Sequence, residues 1–453
     1  MRKPRLTPVN RWLEPLLAAA ILIALVRAFV FLNIYGHLPQ PFFYDPGDVW
    51  MDWFNTAYWA RDKGAYDVWE SVYPPLTFVV MRLFGDSSCY VPASGGDPWV
   101  RYCDWVGIAT FHAFFILNVV LISLTFLKID RKTATARSIA VAAGLPMLFA
   151  LERANPFILT FTTIILAFGP LLASARWRWV NVGLAINFKL YLISALAPQL
   201  LRRRWRWFEG AVLATILIYI ATFVIQGNGS PLQLYENLTV EKVYVINNFL
   251  DIWFATTYQP FVGLLNSDSL PITSMIGSKN VEMLLVVLPT LTRIVQLTIL
   301  LSWIAAWIRP EAVPMFRLTG LGASLAIIST ETSGYSLSIG IFFALMERWQ
   351  GFGRKWAIVA AFIISIPADI STGRVGSDIS FSFLANRSVM IDYAFMIGPL
   401  IRPLLFMSIP FALACVTIRE VWVDIRVQGW RSRWRFRRDL PIMSGEGQAV
   451  RPA

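Results

Sequence analysis

Three carboxylates stand close together in the segment FYDPGDVWMDWFNTAYW: Asp45, Asp48 and Asp52. A carboxylate held partly out of water beside a bilayer takes up protons more readily, which suits it to act as a general base. Asp48 and Asp52 are four residues apart, so on a helix they share a face with Asn55 and Trp59. Asp45 precedes Pro46-Gly47 and reads as a turn residue, and Asp48 reads as the N-cap of the helix that follows. Asp52 has no such local role and sits among Trp50, Met51, Trp53 and Phe54. It is the first candidate for a base, with Asp48 and Asp45 behind it.

A second group consists of ionisable residues inside apolar runs, where charge is costly and marks function. Glu152-Arg153-Ala154-Asn155-Pro156 falls between two apolar stretches. Its bland alternative is an ion pair at a helix end. Lys189 lies in LAINFKLYLISALAP, far from the basic clusters on both sides. An ammonium at that depth can hold a phosphate oxygen; otherwise it snorkels to the interface. Glu331, in ISTETSGYS, falls at a turn between apolar runs. Arg374, Arg387 and Arg402 lie on the side otherwise poor in cations and are candidates for a lipid phosphate. Lys242 and Lys279 on the same side read as solvated loop charges. The expected substrate-binding set is Lys189, Arg153, Asn155, Glu331, Tyr73, Arg374 and Arg387.

The elements that must position these residues are membrane helices. Of 453 residues 56% are hydrophobic and only 15% charged, and mean hydropathy is +0.56. A soluble domain is nearer one-quarter charged. The 19 Trp and 32 Phe suit bilayer interfaces. The net charge of +12 comes from basic clusters beside apolar runs, not from one basic domain. This argues against nucleic acid and for the positive-inside rule and anionic lipids. Placing every basic cluster inside gives an all-α protein of about 12 transmembrane segments, by the rule of about 20 apolar residues per span. Residues 1–418 form the membrane domain, with outer loops 34–104, 227–280 and 371–390. Residues 419–453 form a basic tail on the inner side, read as a surface helix followed by disorder. The predicted helices lie near 13–33, 105–127, 138–151, 156–174, 207–226 and 281–307, with hairpins at 318–347 and 356–418. The hairpin 180–200 is too short for two full spans and must be bent or re-entrant around Phe188–Lys189. Pro75 opens a short helix, 75–85, lying on the outer surface. Cys89 and Cys103 share one polar segment; they form a disulfide if it faces an oxidising compartment and are free thiols otherwise. Cys415, in an apolar run, reads as packing. Two His and three Cys show no zinc spacing, and no metal or cofactor is expected.

Several short motifs then recur in a telling order: Asp52-Trp53, Tyr58, Gly64-Ala65-Tyr66 and Tyr73-Pro74-Pro75-Leu76. Lys189-Leu190-Tyr191 follows, then the basic end Arg202-Arg203-Arg204-Trp205-Arg206. This resembles glycosyltransferase family 87 of the GT-C superfamily, the polyprenyl-phosphate-sugar-dependent, mannosyltransferase-like membrane proteins. The resemblance covers residues 40–205. The family's Gly-(Gln or Asn)-x-Asn turn survives here only as Asn155, and its later Ser-Pro signature is present as Ser329–Ser333 without the Pro. The resemblance implies an inverting transferase with a catalytic Asp in the first outer loop. Its partners would be a polyprenyl-phosphate-linked sugar donor, a lipid or glycan acceptor, and membrane lipids. The place would be a bacterial inner membrane, with the site facing outside. Two other classes stay open: a secondary transporter using Lys189, Glu152 and Glu331, and a non-enzymatic cell-envelope polysaccharide assembly protein.

Overall fold

The computed structural model describes residues 8–42, 45–61, 64–90, 100–247, 255–265 and 277–430. The chain is mainly helical. Helix α1 (Pro8–Tyr35) leads into the first long loop, which carries α2 (Met51–Trp59), α3 (Pro75–Leu83) and α4 (Val100–Cys103). There follow α5 (Trp105–Ile129), α6 (Ala134–Ala142), α7 (Leu145–Arg153), α8 (Phe157–Phe168), α9 (Ala175–Phe188), α10 (Ala197–Leu201) and α11 (Trp205–Gln226). The second long loop holds α12 (Pro231–Asn247) and α13 (Gln259–Leu265). The last part has α14 (Ser278–Ile308), α15 (Met315–Ser329), α16 (Leu337–Ala344), α17 (Gly351–Ile364) and α18 (Gly398–Gln428).

Among the described residues six helical stretches are long and apolar enough to cross a membrane: Trp12–Tyr35, Trp105–Ile129, Ala134–Arg153, Trp205–Gln226, Ser278–Ile308 and Gly398–Gln428. At about 1.5 Å per residue each reaches roughly the 30 Å of a hydrocarbon core. Their outer faces are unlike those of soluble helices. On α11, Leu213, Ile216, Leu217, Ile220 and Val224 are all exposed, an apolar stripe that water would not tolerate. The other apolar helices, such as Phe157–Phe168 and Met315–Ser329, are shorter than one span.

Two breaks expected from the sequence are present. Helix α9 stops at Phe188, and Lys189 adopts an extended conformation before a 3-10 segment, Leu190–Leu196. The short segment after Tyr73 is helical from Pro75, with proline in the first turn, where its missing N–H leaves no bond unmade. Three expectations need correction. The loop 371–390 is a β-hairpin, β1 (Ser371–Ser382) and β2 (Arg387–Met396), with Ile379 opposite Met390 and Ser380 opposite Val389. Its period of two turns Val389 and Ile391 inward and leaves Ile379 and Met390 exposed. The boundary at 418 falls inside α18, which runs unbroken to Gln428; residues 431–453 of the expected tail lie outside the described ones. Cys415 is exposed and not packed inside.

Several buried charges are held in pairs. Arg137 donates to both oxygens of Glu14 (2.8 and 2.9 Å) and to the carbonyls of Leu345 and Glu347. Arg317 donates to Glu347 and Glu420, and Arg354 pairs with the same two acids. Bridges of this kind join helices far apart in sequence, and removing one partner leaves an uncompensated charge.

Candidate functional site

The site begins at the end of α7. Ala154 turns into the left-handed region (φ 48°), so its N–H reaches Leu151 O and the N–H of Asn155 reaches Ala150 O (both 2.9 Å). This is a Schellman end with Ala where Gly is usual. It throws Asn155 into position to start α8: Asn155 Oδ1 accepts from the Phe157 N–H (2.9 Å). With its oxygen so committed, Nδ2 is the end left to donate. It donates to Asp52 Oδ2 (2.6 Å) and to the Tyr73 hydroxyl (3.2 Å).

One residue earlier, Arg153 forks between the acids of the first loop. Its Nη2 and Nε donate to Asp52 Oδ1 (2.6 and 3.2 Å), and its Nη1 donates to Asp48 Oδ2 (2.6 Å). The Glu152 carbonyl takes the Trp50 N–H (2.9 Å), which locks the end of α7 to the start of α2. Asp48 therefore does not cap α2. The N-cap position is Trp50 (φ 68°), with no side-chain cap. The ion pair with Arg153, 105 residues on, has displaced the local capping bond. Burial pushes the Asp48 carboxyl above its ordinary value, against the opposing pull of Arg153.

The loop before α2 is bracketed from behind. Arg101, fully inside, donates to the carbonyls of Val49 and Gly47, and its guanidinium lies 3.9 Å from the Phe383 ring of the hairpin. The Phe383 N–H reaches Pro46 O (3.0 Å). Arg101 is on α4, which the Cys89–Cys103 disulfide ties to the chain after α3. Asp104 continues the tie by accepting from Asp86 N, Gly107 N and the Tyr90 hydroxyl.

In front of Asp52 opens a cavity of about 930 Å³. Its walls include Asp52, Asn55, Arg153 and Asn155 on one side and Lys189, Tyr191 and Tyr335 on the other. Tyr73 joins the two sides, since its hydroxyl meets Asn155 and its ring lies 4.4 Å from Lys189 Nζ. Lys189 also faces the Tyr335 ring at 5.3 Å, a cation held between two aromatic faces. Tyr335 is wedged against Phe149 and Phe157. Trp59 and Trp69, stacked at 24° and 6.0 Å, line the rim with Glu70. Two non-glycine residues with positive φ, Glu70 and Ser333, line this space, and a third, Ala154, lies in sequence between the lining residues Arg153 and Asn155. Ser333 (φ 66°, ψ 153°) occupies a region nearly reserved for glycine, and such strain gathers at functional sites.

The expected residues divide cleanly. Asp52, Arg153, Asn155, Tyr73 and Lys189 come together at the cavity, with Asp48 just behind. Asp45 does not. Its Oδ1 accepts from the Gly47 N–H (2.8 Å) and Ser380 Oγ (3.2 Å), the turn role open to it from sequence. Glu331 lines the wall but is committed elsewhere. Its two oxygens accept from the N–H and hydroxyl of Thr256 and of Thr257, and from the N–H groups of Thr332 and Ser333. That clamps the second loop to the 330–333 turn and leaves little for a substrate. Burial raises this carboxyl, opposed by the Thr256 and Thr257 bonds. Arg374 pairs with Asp392 on the exposed hairpin (2.5 Å), Arg387 is exposed at the start of β2, and neither lines the cavity. Arg402 pairs with Asp369 (3.0 Å). Lys279 is exposed, and the side chain of Lys242 lies outside the described ones. Tyr335, Trp69 and the Thr256-Thr257 pair are not legible from the sequence; the glycine and strained serine beside Tyr335 are the one local signal. Among the described residues no group of three or more His, Cys, Asp or Glu could hold a metal. Comparison with protein-family models, curated proteins and solved structures finds no match for this chain.

Proposed function

We propose that this chain is a membrane glycosyltransferase of the GT-C kind. It would move a hexose or pentose from a polyprenyl-phosphate donor to an acceptor hydroxyl on the outer face of a bacterial inner membrane. The observation that carries this reading is one cavity with Asp52 on one side and Lys189 on the other, joined through Asn155 and Tyr73. A carboxylate offers about four lone-pair sites. Arg153 and Asn155 take three on Asp52, and one on Oδ2 remains for an acceptor hydroxyl. Asp52 takes the hydroxyl proton as the acceptor oxygen forms its bond to the anomeric carbon. The bond from that carbon to the phosphate oxygen breaks on the opposite face, so configuration inverts, and polyprenyl phosphate leaves with the electron pair. Lys189 would meet the charge that develops there. The Trp59–Trp69 pair offers an aromatic face to the sugar or acceptor.

The topology belongs to the same proposal: twelve membrane segments, counting α8, α9, the 190–201 segment, α15, α16 and α17 with the six long helices, with the loop 34–104 outside. The test is transfer in vesicles of purified chain supplied with a panel of polyprenyl-phosphate sugars and with extracted lipid and glycan acceptors. The reading expects labelled product from at least one donor. No product across the panel, or sugar uptake driven by an ion gradient, contradicts it.

A further inference from the structure

The end of α9 remote from Lys189 gathers positive charge in an unusual way. Helices α9 and α11 run parallel and in contact. The Trp179 ring lies where a Cβ on Gly210 would meet it at 2.6 Å, Gly183 abuts Ala214 and Thr215, and Asn187 Nδ2 donates to Thr215 O (3.0 Å). Their first turns therefore lie side by side. Neither N-cap side chain, Ser174 or Arg204, bonds to the helix amides. Each helix start carries roughly half a positive charge, so two together favour an anion.

Cations occupy that place instead. Arg178, Arg202 and Arg204 are 6%, 6% and 9% exposed, and Arg204 is within electrostatic reach of the other two. Glu311 is the acid acting on Arg202. Elsewhere the buried arginines 137, 153, 317, 354 and 402 each face a carboxylate, while buried Arg101 is held by the carbonyls of Val49 and Gly47. Arg178 spends Nε and Nη2 on Leu172 O, and its buried Nη1 meets no protein acceptor. Arg202 donates Nη1 to Val313 O (2.5 Å), and its Nε and Nη2 meet none. Gln199, fully buried beside them in sequence, has both ends of its amide unmatched. Buried donors without acceptors are costly, and a charge makes them costlier. Burial pulls the Arg202 guanidinium down to about 10. The sequence places these arginines in basic clusters beside apolar runs; the fold buries them. Trp177 and Trp205, 64% and 52% exposed, flank the cluster and mark an interfacial level.

We infer that Arg178, Arg202 and Gln199, at the paired helix starts, form a binding site for a phosphate group, supplied by an anionic lipid head group of the adjacent leaflet. The site stands apart from the proposed transfer reaction and does not depend on it.

The test uses the full chain in nanodiscs of phosphatidylcholine. One arm adds increasing phosphatidylglycerol; a second adds inorganic phosphate to the neutral discs. Unfolding temperature and lipid retention in native mass spectrometry are read together. The expected result is saturable stabilisation by phosphatidylglycerol with retained lipid. Arg202→Gln and Arg178→Gln should need roughly tenfold more of it, as fits the loss of one charged hydrogen bond. Exposed Arg206→Gln should behave as wild type. Stabilisation by inorganic phosphate alone supports the phosphate site and makes its source soluble. No stabilisation by either probe overturns the site, as does an Arg206→Gln loss as large as that of Arg202→Gln. If Arg202→Gln fails to fold, wild type decides: equal retention of phosphatidylcholine and phosphatidylglycerol overturns the proposal.

Discussion

Replacing Arg153 by Met tests the geometry on which the site depends. Arg153 makes two bonds to the Asp52 carboxylate and one to the Asp48 carboxylate, with its own side chain 10% exposed. Removing it leaves two carboxylates turned toward each other with no cation between them. Breaking a fully buried pair costs about 3–5 kcal/mol. Here the Asp48 and Asp52 side chains are 31% and 22% exposed, so water reaches both and the lower end applies, about 3 kcal/mol. Equilibrium unfolding in mixed micelles, read by two probes to check two-state behaviour, measures the loss. Adding Asp48→Asn and Asp52→Asn to the Met variant should recover much of it, because the stranded charges are gone. Arg153→Lys should recover under half, because one ammonium cannot match a fork that reaches two acids. A Met variant within about 0.5 kcal/mol of wild type, the size of an ordinary surface change, would refute the claim that Arg153 assembles the site.

Other perturbations have equally definite signs. Because burial raises the Asp48 carboxyl above its ordinary 3.8, folding favours its protonated form. That contribution is complete below 3.8 and is lost as pH rises through the folded value. Asp48→Asn should therefore gain stability relative to wild type from about pH 3 to about pH 7 in thermal scans; a difference independent of pH contradicts the assignment. Glu331→Gln replaces one acceptor oxygen with an NH2 donor facing the N–H and hydroxyl of Thr256 or Thr257, and should cost about 2 kcal/mol. Proteolysis at 255–258 should quicken, and unchanged protection there counts against the clamp. Cys103→Ser opens a loop of sequence separation 14 and should cost about 3 kcal/mol by the loop-entropy relation. A wild type equally stable with and without reductant would show that the disulfide contributes nothing.

Much of the scaffold was legible because it rests on local composition. Apolar runs locate the long helices, Pro75 opens α3, and the hairpin too short for two spans breaks at Lys189. The site was legible only in its parts. Asp52, Arg153, Asn155 and Lys189 stood out one by one as charged or polar groups in apolar surroundings. No local rule says that Arg153 reaches back 101 and 105 residues to two acids. The capping rule therefore misassigned Asp48, since a buried guanidinium offers a stronger bond than a helix N–H. Glu331 lines the cavity as a candidate, but the sequence does not show that its oxygens are engaged by the chain's own Thr256 and Thr257. The hairpin alternates in burial along Val389, Met390 and Ile391, but its sequence runs these three apolar residues together among polar serines and arginines, so no period of two is readable there. The arginines at 178, 202 and 204 obey the positive-inside pattern, and pattern alone cannot distinguish a solvated cation from a buried one.

The central claim is that Asp52 is the base of a sugar transfer, and single-turnover transfer in vesicles by Asp52→Asn tests it most directly. The donor is the polyprenyl-phosphate sugar the wild type uses, and donor binding is measured alongside. Loss of a general base predicts a fall of roughly 10²–10⁴ in the transfer rate with donor still bound, and Asp48→Asn should fall far less. An Asp52→Asn variant that transfers sugar as fast as wild type contradicts the account.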